Sequence, residues 1–509
     1  MALFGKARED VQQPPPGAEP GCGCGAPLSP EALAAIERVK TKKDQEHIFF
    51  GAVQSVCPTC LAPVSGQLVI RDGQVHMRKF CSEHGRFEVL LATDAKWWLR
   101  SLTQTKPGTI PLWHATERKT KCPDDCGLCE DHQQHTCYPL IEITDHCDLK
   151  CPICFAENKQ AWSMSPEQLQ LALDRLGQAE GRAEIVTLSG GEPTLHPRLM
   201  ELLELTLKHP AADKVAINTH GLKIARDEDL CRRLADMGVY VQLQFDGFNP
   251  ETYRRLRGAD LSDMKRRALD NLSKHKVKTL LITTVANDLN EDAVGEAIRV
   301  LFDRDNVYAV TLQPLAYCGD ARANALPHDL SRHMTLTTLL GLIEKQMGGV
   351  VNKEDFVSIP CSHPSCSAIG YFLKAGQSDW VSIARITHAD KILDYLQNKL
   401  LIDAESWMRG IKEDQANLET LWSASAVGGA PKVQKALSCC TAAYAKDRNV
   451  VGVSKMIGIH GFMDSSTYDQ GRAMKCCYHF VTRDGRMMPF CNYNIFHRDA
   501  DVRRRATEE

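Results

Sequence analysis

Cys147, Cys151 and Cys154 follow a short apolar run at 140–144 that reads as a strand. Their Cys-x3-Cys-x2-Cys spacing constrains the chain more than any other feature, because it aims three thiolates at one centre. A 4Fe–4S cluster is ordinarily closed by four thiolates, one for each iron. Three thiolates leave one iron open to a small chelating molecule. A structural zinc knot is the competing reading, but it requires a fourth ligand nearby, and the nearest donor, His146, adjoins Cys147.

Downstream, helices and strands alternate. Ser165 caps a helix with Pro166 at its first position and Gln168 three residues past the cap. Leu169, Leu173 and Leu176 give that helix an apolar face. A strand at 184–188 then ends in Ser189-Gly190-Gly191-Glu192-Pro193-Thr194. Paired glycines let backbone approach a ligand closely, and a carboxylate beside them suits an ammonium group. Further strands are expected at 214–218, 239–245, 278–285 and 307–312. Six strands alternating with helices imply a parallel sheet curled into a partial barrel, with ligand groups at the C-terminal strand ends. Cys147, Gly191, Asn218, Gln244, Asp246, Asn287 and Gln313 fall at or just past such ends. For Asp246 and Asn287, turn formation or helix capping is an equal alternative.

Cysteine usage sets the setting. The chain has 509 residues, 21 cysteines and a net charge of −3, so about two to four domains are expected. No basic run suits nucleic acid, and no apolar stretch is long enough for a transmembrane helix. The first residues do not read as a secretory leader. A soluble, cytoplasmic protein is expected, which leaves peripheral contact with a membrane open. Clustered cysteines in such a chain indicate metal ligation rather than disulfides.

In the amino-terminal third, Cys57 and Cys60 precede a hairpin turning at Asp72-Gly73, and Cys81 and His84 follow it. Two such knuckles form a zinc-ribbon or rubredoxin-like site with tetrahedral ligands, for zinc or iron. Cys122, Cys126 and Cys129 repeat the three-cysteine spacing, and Cys137 supplies a fourth thiol, enough to close a second 4Fe–4S cluster. Asp124, Asp125 and His132 among them keep a zinc reading open. Cys22 and Cys24 lie in a Gly- and Pro-rich start and read as unligated. In the carboxy-terminal third, Cys361, Cys366, Cys491 and one of Cys476 and Cys477, taken as Cys477, are candidates for a third cluster around a hairpin turning at Asp484-Gly485. Cys439 and Cys440 compete as donors. Cys231 reads as a packed core thiol, and Cys318 has no partner in sequence.

The order CPTC…CSEHG, CPDDCGLC…C, CDLKCPIC, GGEPTLHP, Leu312-Gln313-Pro314, PCSHPSC and PFCNYN resembles the radical S-adenosylmethionine (SAM) branch that contains archaeal tetraether lipid synthase, also described as a dihydropterin methylase. The resemblance covers residues 50 to about 495. It implies an α/β fold: a partial (β/α)6 TIM-like barrel, an N-terminal zinc-ribbon or rubredoxin-like domain and a C-terminal auxiliary-cluster extension. The boundaries it suggests are a flexible segment at 1–50, the ribbon at 51–110, an auxiliary-cluster segment at 111–139, the barrel at 140–320, a helical bridge at 321–440 and the extension at 441–509. It also implies that Cys147, Cys151 and Cys154 hold the SAM-binding cluster. Gly190, Gly191, Glu192 and Pro193 would contact SAM, with Glu192 at its amino group, and Asn218, Gln244, Asp246 and Gln313 would complete the cofactor site. Two auxiliary 4Fe–4S clusters, one mononuclear zinc or iron, and a ferredoxin or flavodoxin as electron donor complete the picture. The activity implied is hydrogen abstraction by a 5′-deoxyadenosyl radical for carbon–carbon bond formation between lipid alkyl chains. The auxiliary groups around Cys122 and Cys361 would be the candidates for trapping the first carbon radical. Methylation of a pterin-like small molecule is the alternative, and a non-enzymatic Fe–S electron carrier is the third reading.

Overall fold

From residue 48, alternating side chains build four antiparallel strands: β1 (Ile48–Val56), β2 (Pro63–Arg71), β3 (Gln74–Cys81) and β4 (Gly85–Ala92), paired in that order. The computed structural model describes residues 29–31, 45–156, 162–318, 328–375, 379–385, 389–399 and 454–498. Cys22, Cys24, Cys439 and Cys440 lie outside them. The chain divides after Glu46 into two units, and everything below belongs to the second. Asp72 and Gly73, both at positive φ (52° and 73°), make the tight turn joining β2 to β3. The strand β1 starts at Ile48, just inside the stretch expected to be a flexible segment.

The second sheet has eleven strands. At its centre are six consecutive parallel strands: β5 (Tyr138–Thr144), β6 (Val186–Gly190), β7 (Val215–Thr219), β8 (Tyr240–Gln244), β9 (Thr279–Val285) and β10 (Val307–Pro314). Helices cross between them and cover the outer face. The first, Pro166–Glu180, has the capping box expected at Ser165 and Gln168, worth about 1 kcal/mol, and buries Leu169, Leu173 and Leu176.

Both edges of this sheet are extended by later segments. Beyond β10 lie β13 (Ser454–His460), parallel to it, then β11 (Ser367–Lys374) and β12 (Trp380–Ser382), both antiparallel to their neighbours. Beyond β5 lie β14 (Tyr478–Val481), parallel to it, and β15 (Met487–Pro489). Two expectations are corrected here. The 321–440 stretch was read as a helical bridge, yet its described part contains β11 and β12 beside helices Leu336–Met347 and Ala389–Leu396. The run Ser-Ala-Ile-Gly-Tyr-Phe-Leu is buried throughout, as befits a strand covered on both faces. Likewise the C-terminal hairpin does not stand apart as an extension: β14 is a strand of the barrel sheet.

The four-stranded ribbon is tied to the loop beyond β13 and to the helix Leu336–Met347 by polar contacts. Lys79 Nζ donates to Ser465 O (3.0 Å) as well as to Val56 O of its own sheet (3.2 Å), and burial pushes its pKa down to about 8. Thr93 N donates to Thr337 Oγ1 at 2.7 Å.

Glu180 ends the first barrel helix and accepts the Thr136 amide at 2.9 Å, tying the segment before β5 to the barrel. Burial raises its carboxyl from 4.5 to about 7, despite that hydrogen bond. A folded-state pKa above the unfolded value gives stability that is complete below the unfolded pKa and lost as pH rises through the folded one. Glu180→Gln keeps the acceptor but cannot ionise. It is expected to abolish a loss of about 3 kcal/mol in stability between about pH 4.5 and 7, read as a flatter pH dependence of the thermal midpoint.

Candidate active site and metal centres

The cysteine loop leaves the C-terminal end of β5, and its position is set by β6. Gly191 N donates to Thr144 O and Glu192 N to His146 O, both at 2.7 Å. A Cβ on Gly190, which sits at φ 141°, would lie 2.2 Å from Thr144 O, and one on Gly191 2.5 Å from His146 O. The paired glycines were expected to admit a ligand. They admit the backbone entering the cysteine loop. Within the loop Cys154 N donates to Cys151 O at 3.1 Å, which curls Cys151 and Cys154 toward Cys147. Burial pushes the thiols of Cys147 and Cys154 up to about 12 and about 11. Buried, closely spaced thiols of this kind release their protons when a metal takes their place, so the residues fit a three-thiolate cluster.

Glu192 is buried, and its two oxygens are unequally used. Oε1 accepts from Thr194 N (3.1 Å), Thr194 Oγ1 (2.6 Å) and Thr219 Oγ1 (2.6 Å). Oε2 accepts from His220 N (2.9 Å), with the His220 ring 3.2 Å away. That ring is itself bonded to Asp148 at 2.7 Å. Since each carboxylate oxygen has about two lone pairs, Oε2 retains room for a further donor such as an ammonium. Pro193 follows as the first residue of the turn Pro193–Leu195, which Glu192 caps.

The other expected cofactor residues divide. Asn218 and Gln313 line the barrel lumen. Gln244 and Asp246 do not, because their groups are consumed by buried cations. The Asp246 carboxylate accepts from Arg257 Nε (2.7 Å), a second Arg257 nitrogen (3.2 Å), Thr284 N (3.1 Å) and Gln244 Nε2 (2.5 Å). Gln244 Oε1 accepts from Lys265 Nζ (2.6 Å), which also donates to the carbonyls of His220 (2.6 Å) and Gln244 (2.7 Å). Burial pushes Lys265 down to about 7. Arg257 stays charged against burial through Asp246 and Cys151, and its field also reaches Cys154. Neither cation was singled out in sequence, where each is one of many basic residues on an amphipathic helix. Asn287, too, is turned outward, its amide donating to Arg332 O.

The lumen is a cavity of about 220 Å3 walled by Leu140, Ile185, Leu280, Ile282, Phe155 and other apolar groups, with Asn218, Gln242 and Gln313 as amides. Gln242 Nε2 is held by Thr187 Oγ1 (3.2 Å) and by Tyr138 Oη. His460, at the end of β13, lies on the wall with Nδ1 buried and unpartnered, and burial beside Arg472 pushes it down to about 3, hence neutral. It was missed because β13 was not read as a barrel strand. His460, Phe462, Tyr478 and Phe490 also wall a smaller cavity containing Cys366, Cys476, Cys477 and Cys491.

The remaining cysteines assemble differently from expectation. Cys57, Cys60, Cys81 and His84 meet as expected, their donor atoms all within 4.8 Å of one another. The separations of 3.6 Å (Cys81 Sγ to His84 Nδ1), 3.8 Å (Cys57 Sγ to His84 Nδ1) and 3.9 Å (Cys60 Sγ to Cys81 Sγ) suit a single tetrahedral ion, whose Zn–S bonds of about 2.3 Å put donors about 3.6 to 3.8 Å apart. Cys122, Cys126 and Cys129 lie together, with Asn492 Nδ2 donating to Cys126 Sγ at 3.1 Å and Asn492 Oδ1 left buried without a partner. Cys137, expected as their fourth member, instead meets Cys361 and Cys477. Cys366 and Cys491, expected beside Cys361 and Cys477, lie with Cys476, and Arg472 Nε donates to Cys366 Sγ at 3.3 Å. Cys476 and Cys477, in the turn before β14, thus divide between the two groups, Cys476 with Cys366 and Cys491 and Cys477 with Cys137 and Cys361. Cys318 is buried, its thiol donating to Met463 O at 3.6 Å, and Cys231 is a core thiol donating to Ile224 O.

A parallel barrel with an open three-cysteine loop at its C-terminal end is the architecture of radical SAM chemistry. Residues 141–301 match the radical SAM superfamily model and residues 49–93 the HMPTM N-terminal zinc ribbon domain. Residues 141–301 therefore form a radical SAM domain and residues 49–93 a zinc ribbon, and that superfamily implies an enzyme using a 4Fe–4S cluster and SAM. The protein is 27% identical over 477 residues, 87% of this chain and 93% of the relative, to "7,8-dihydro-6-hydroxymethylpterin dimethyltransferase" of Methanocaldococcus jannaschii. It is 30% identical over 172 residues to "GTP 3′,8-cyclase" of Brucella abortus, matching 32% of this chain and 48% of that one. The SAM-bound crystal structure of Streptococcus suis SuiB is 16% identical, with 42% of this chain and 48% of that chain covered at a TM-score of 0.33. Among the described residues no helix is long and apolar enough to cross a membrane.

Gly191→Ala is expected to displace the cysteine loop, because the new Cβ meets backbone that cannot yield. Iron should fall by about four per chain and 5′-deoxyadenosine formation should cease while the ribbon metal remains. Parental iron and SAM cleavage would show that the loop does not depend on this contact.

Proposed function

We propose that the protein is a radical SAM methylase of a small, pterin-like heterocycle. The lumen carries this reading: about 220 Å3, walled mostly by carbon, with the amides of Asn218, Gln242 and Gln313 placed on it. A fused nitrogen heterocycle offers apolar faces and an edge of mixed donors and acceptors. Side-chain amides supply both kinds of partner, and a few placed polar groups in an apolar wall are how small-molecule sites gain specificity. The Methanocaldococcus jannaschii relative, a dimethyltransferase of a hydroxymethylpterin by name, supports the same class.

Cys147, Cys151 and Cys154 are the proposed ligands of the SAM-binding cluster, and Glu192 Oε2 the acceptor for the SAM ammonium. With SAM bound and one electron delivered from a ferredoxin- or flavodoxin-type donor, that cluster supplies a 5′-deoxyadenosyl radical able to take hydrogen from carbon. Arg257, anchored by Asp246, places a fixed positive charge beside the thiolates, and Lys265 holds Gln244 and the His220 carbonyl in place. His460 Nδ1 offers the substrate one more polar contact. Cys122, Cys126 and Cys129, Cys137 with Cys361 and Cys477, and Cys366 with Cys476 and Cys491 are candidate ligand groups for auxiliary clusters, and the ribbon site is proposed to hold zinc or iron.

A second reading, coupling of lipid alkyl chains, is favoured by the apolar wall of the same lumen. The two separate in one assay. Reconstituted enzyme is given SAM, a reductant and either 7,8-dihydro-6-hydroxymethylpterin or an alkyl-lipid extract, without oxygen. A pterin carrying new methyl groups is expected. Unchanged pterin with coupled alkyl chains would replace the methylase reading by the lipid one. Asn218→Leu or Gln313→Leu should raise KM for the pterin roughly tenfold, the loss of about one hydrogen bond, with SAM cleavage retained.

A further inference from the structure

Outside the cysteine groups, His328, His333 and Asp464 bring one donor atom each to within 4.8 Å of the others. They come from two strand ends. His328 and His333 flank the short turn Leu330–Arg332 in the chain that follows β10, and Asp464 lies four residues past the end of β13. We propose that these three side chains form a zinc site, with two imidazoles, one carboxylate and a water completing a tetrahedron.

The spacing is that of a tetrahedral ion. His328 Nε2 and His333 Nδ1 are 3.4 Å apart. Two nitrogens each bound at about 2.0–2.1 Å stand about 3.3 to 3.4 Å apart around tetrahedral zinc, and only about 2.9 Å apart at the right angles of an octahedron. A direct N–H···N hydrogen bond would also explain that distance, but not the buried carboxylate turned toward both rings.

The carboxylate suits a cation as well. Asp464 is buried, and its two oxygens are used unequally. Its Oδ1 accepts from Ser466 N (3.0 Å), Ser466 Oγ (2.5 Å), Thr467 N (3.1 Å) and Thr467 Oγ1 (3.1 Å). Oδ2 accepts only from Tyr317 N at 3.2 Å, leaving it a lone pair. All these donors are neutral, and no lysine or arginine among the described residues hydrogen-bonds to Asp464; Lys79, which feels its charge, donates to Val56 O and Ser465 O instead. A divalent ion would give this buried carboxylate a directly bound cation.

The surroundings are built to hold the donors. Tyr317 stacks on His328 with ring centres 3.7 Å apart and planes 12° from parallel. Asn287 fixes the Arg332 carbonyl between the two histidines. On the other side, Met463 N donates to Cys491 Sγ at 3.2 Å and Ser465 O accepts from the ribbon's Lys79. An ion here would clamp the chain leaving β10 to a segment that also touches the ribbon and one auxiliary cysteine group.

Zinc counted in reconstituted holoenzyme tests the site. His328→Gln and His333→Gln should each hold one zinc fewer than the parent at the same iron content, whereas Cys81→Ser should lose only metal at the ribbon. Histidine variants with the parental zinc count would overturn the proposal. The parent alone gives a second reading that needs no variant to fold. Cobalt replacing zinc should add visible bands from a nitrogen- and oxygen-ligated tetrahedral ion, distinct from the thiolate charge-transfer bands of the ribbon. A parent showing thiolate-ligated cobalt alone would equally reject the site.

Discussion

The reactive end of this barrel depends on a backbone contact, the two 2.7 Å hydrogen bonds from Gly191 and Glu192 to the carbonyls of Thr144 and His146. They join the end of β6 to the last residues before Cys147, so the cysteine loop is aimed by main chain rather than by side-chain packing. Main chain can come this close only where neither Gly190 nor Gly191 carries a Cβ. The same turn places Glu192, and the hydroxyls of Thr194 and Thr219 then orient its carboxylate. Loop, glycines and carboxylate are thus one rigid assembly, which suits a site that must hold a chelated ligand in a single pose.

Charge is arranged around that assembly at evident cost. Arg257 and Asp246 form a largely buried pair, and Lys265 donates only to a carbonyl pair and one amide oxygen. Breaking a buried ion pair by removing one partner typically costs about 3–5 kcal/mol, whereas replacing both by apolar groups is often neutral. The pair is therefore better explained by the three thiolates beside it than by stability. Arg257 offsets part of their mutual repulsion, and Asp246 fixes where that positive charge stands.

How much of this was legible follows the distance along the chain over which each feature is built. The ribbon ligands fall within one hairpin and its flanks, so Cys57, Cys60, Cys81 and His84 could be grouped by spacing. The strands β5 to β10 repeat at regular intervals, and their polar C-terminal ends announce themselves. The flanking strands β13 and β14 join the same sheet from the far end of the chain, and no local period marks them as barrel strands. Their residues, His460 above all, were missed for that reason. Asp246 and Gln244 sat at the right ends of the right strands, but Arg257 and Lys265, which occupy them, come from the helices that follow.

Cys476 and Cys477 show most clearly why spacing fails for the auxiliary cysteines. Neighbouring residues look interchangeable as ligands in a sequence, yet in the turn before β14 Cys476 meets Cys366 and Cys491 while Cys477 meets Cys137 and Cys361. Because β14 pairs with β5, both groups are held against the edge of the barrel. Phe462, Tyr478, Phe490 and His460 form the partition between the lumen and the group around Cys366. A substrate in the lumen therefore has the cysteine loop on one side and a wall of aromatic rings on the other. In that wall the neutral His460 ring has a buried Nδ1 without a partner.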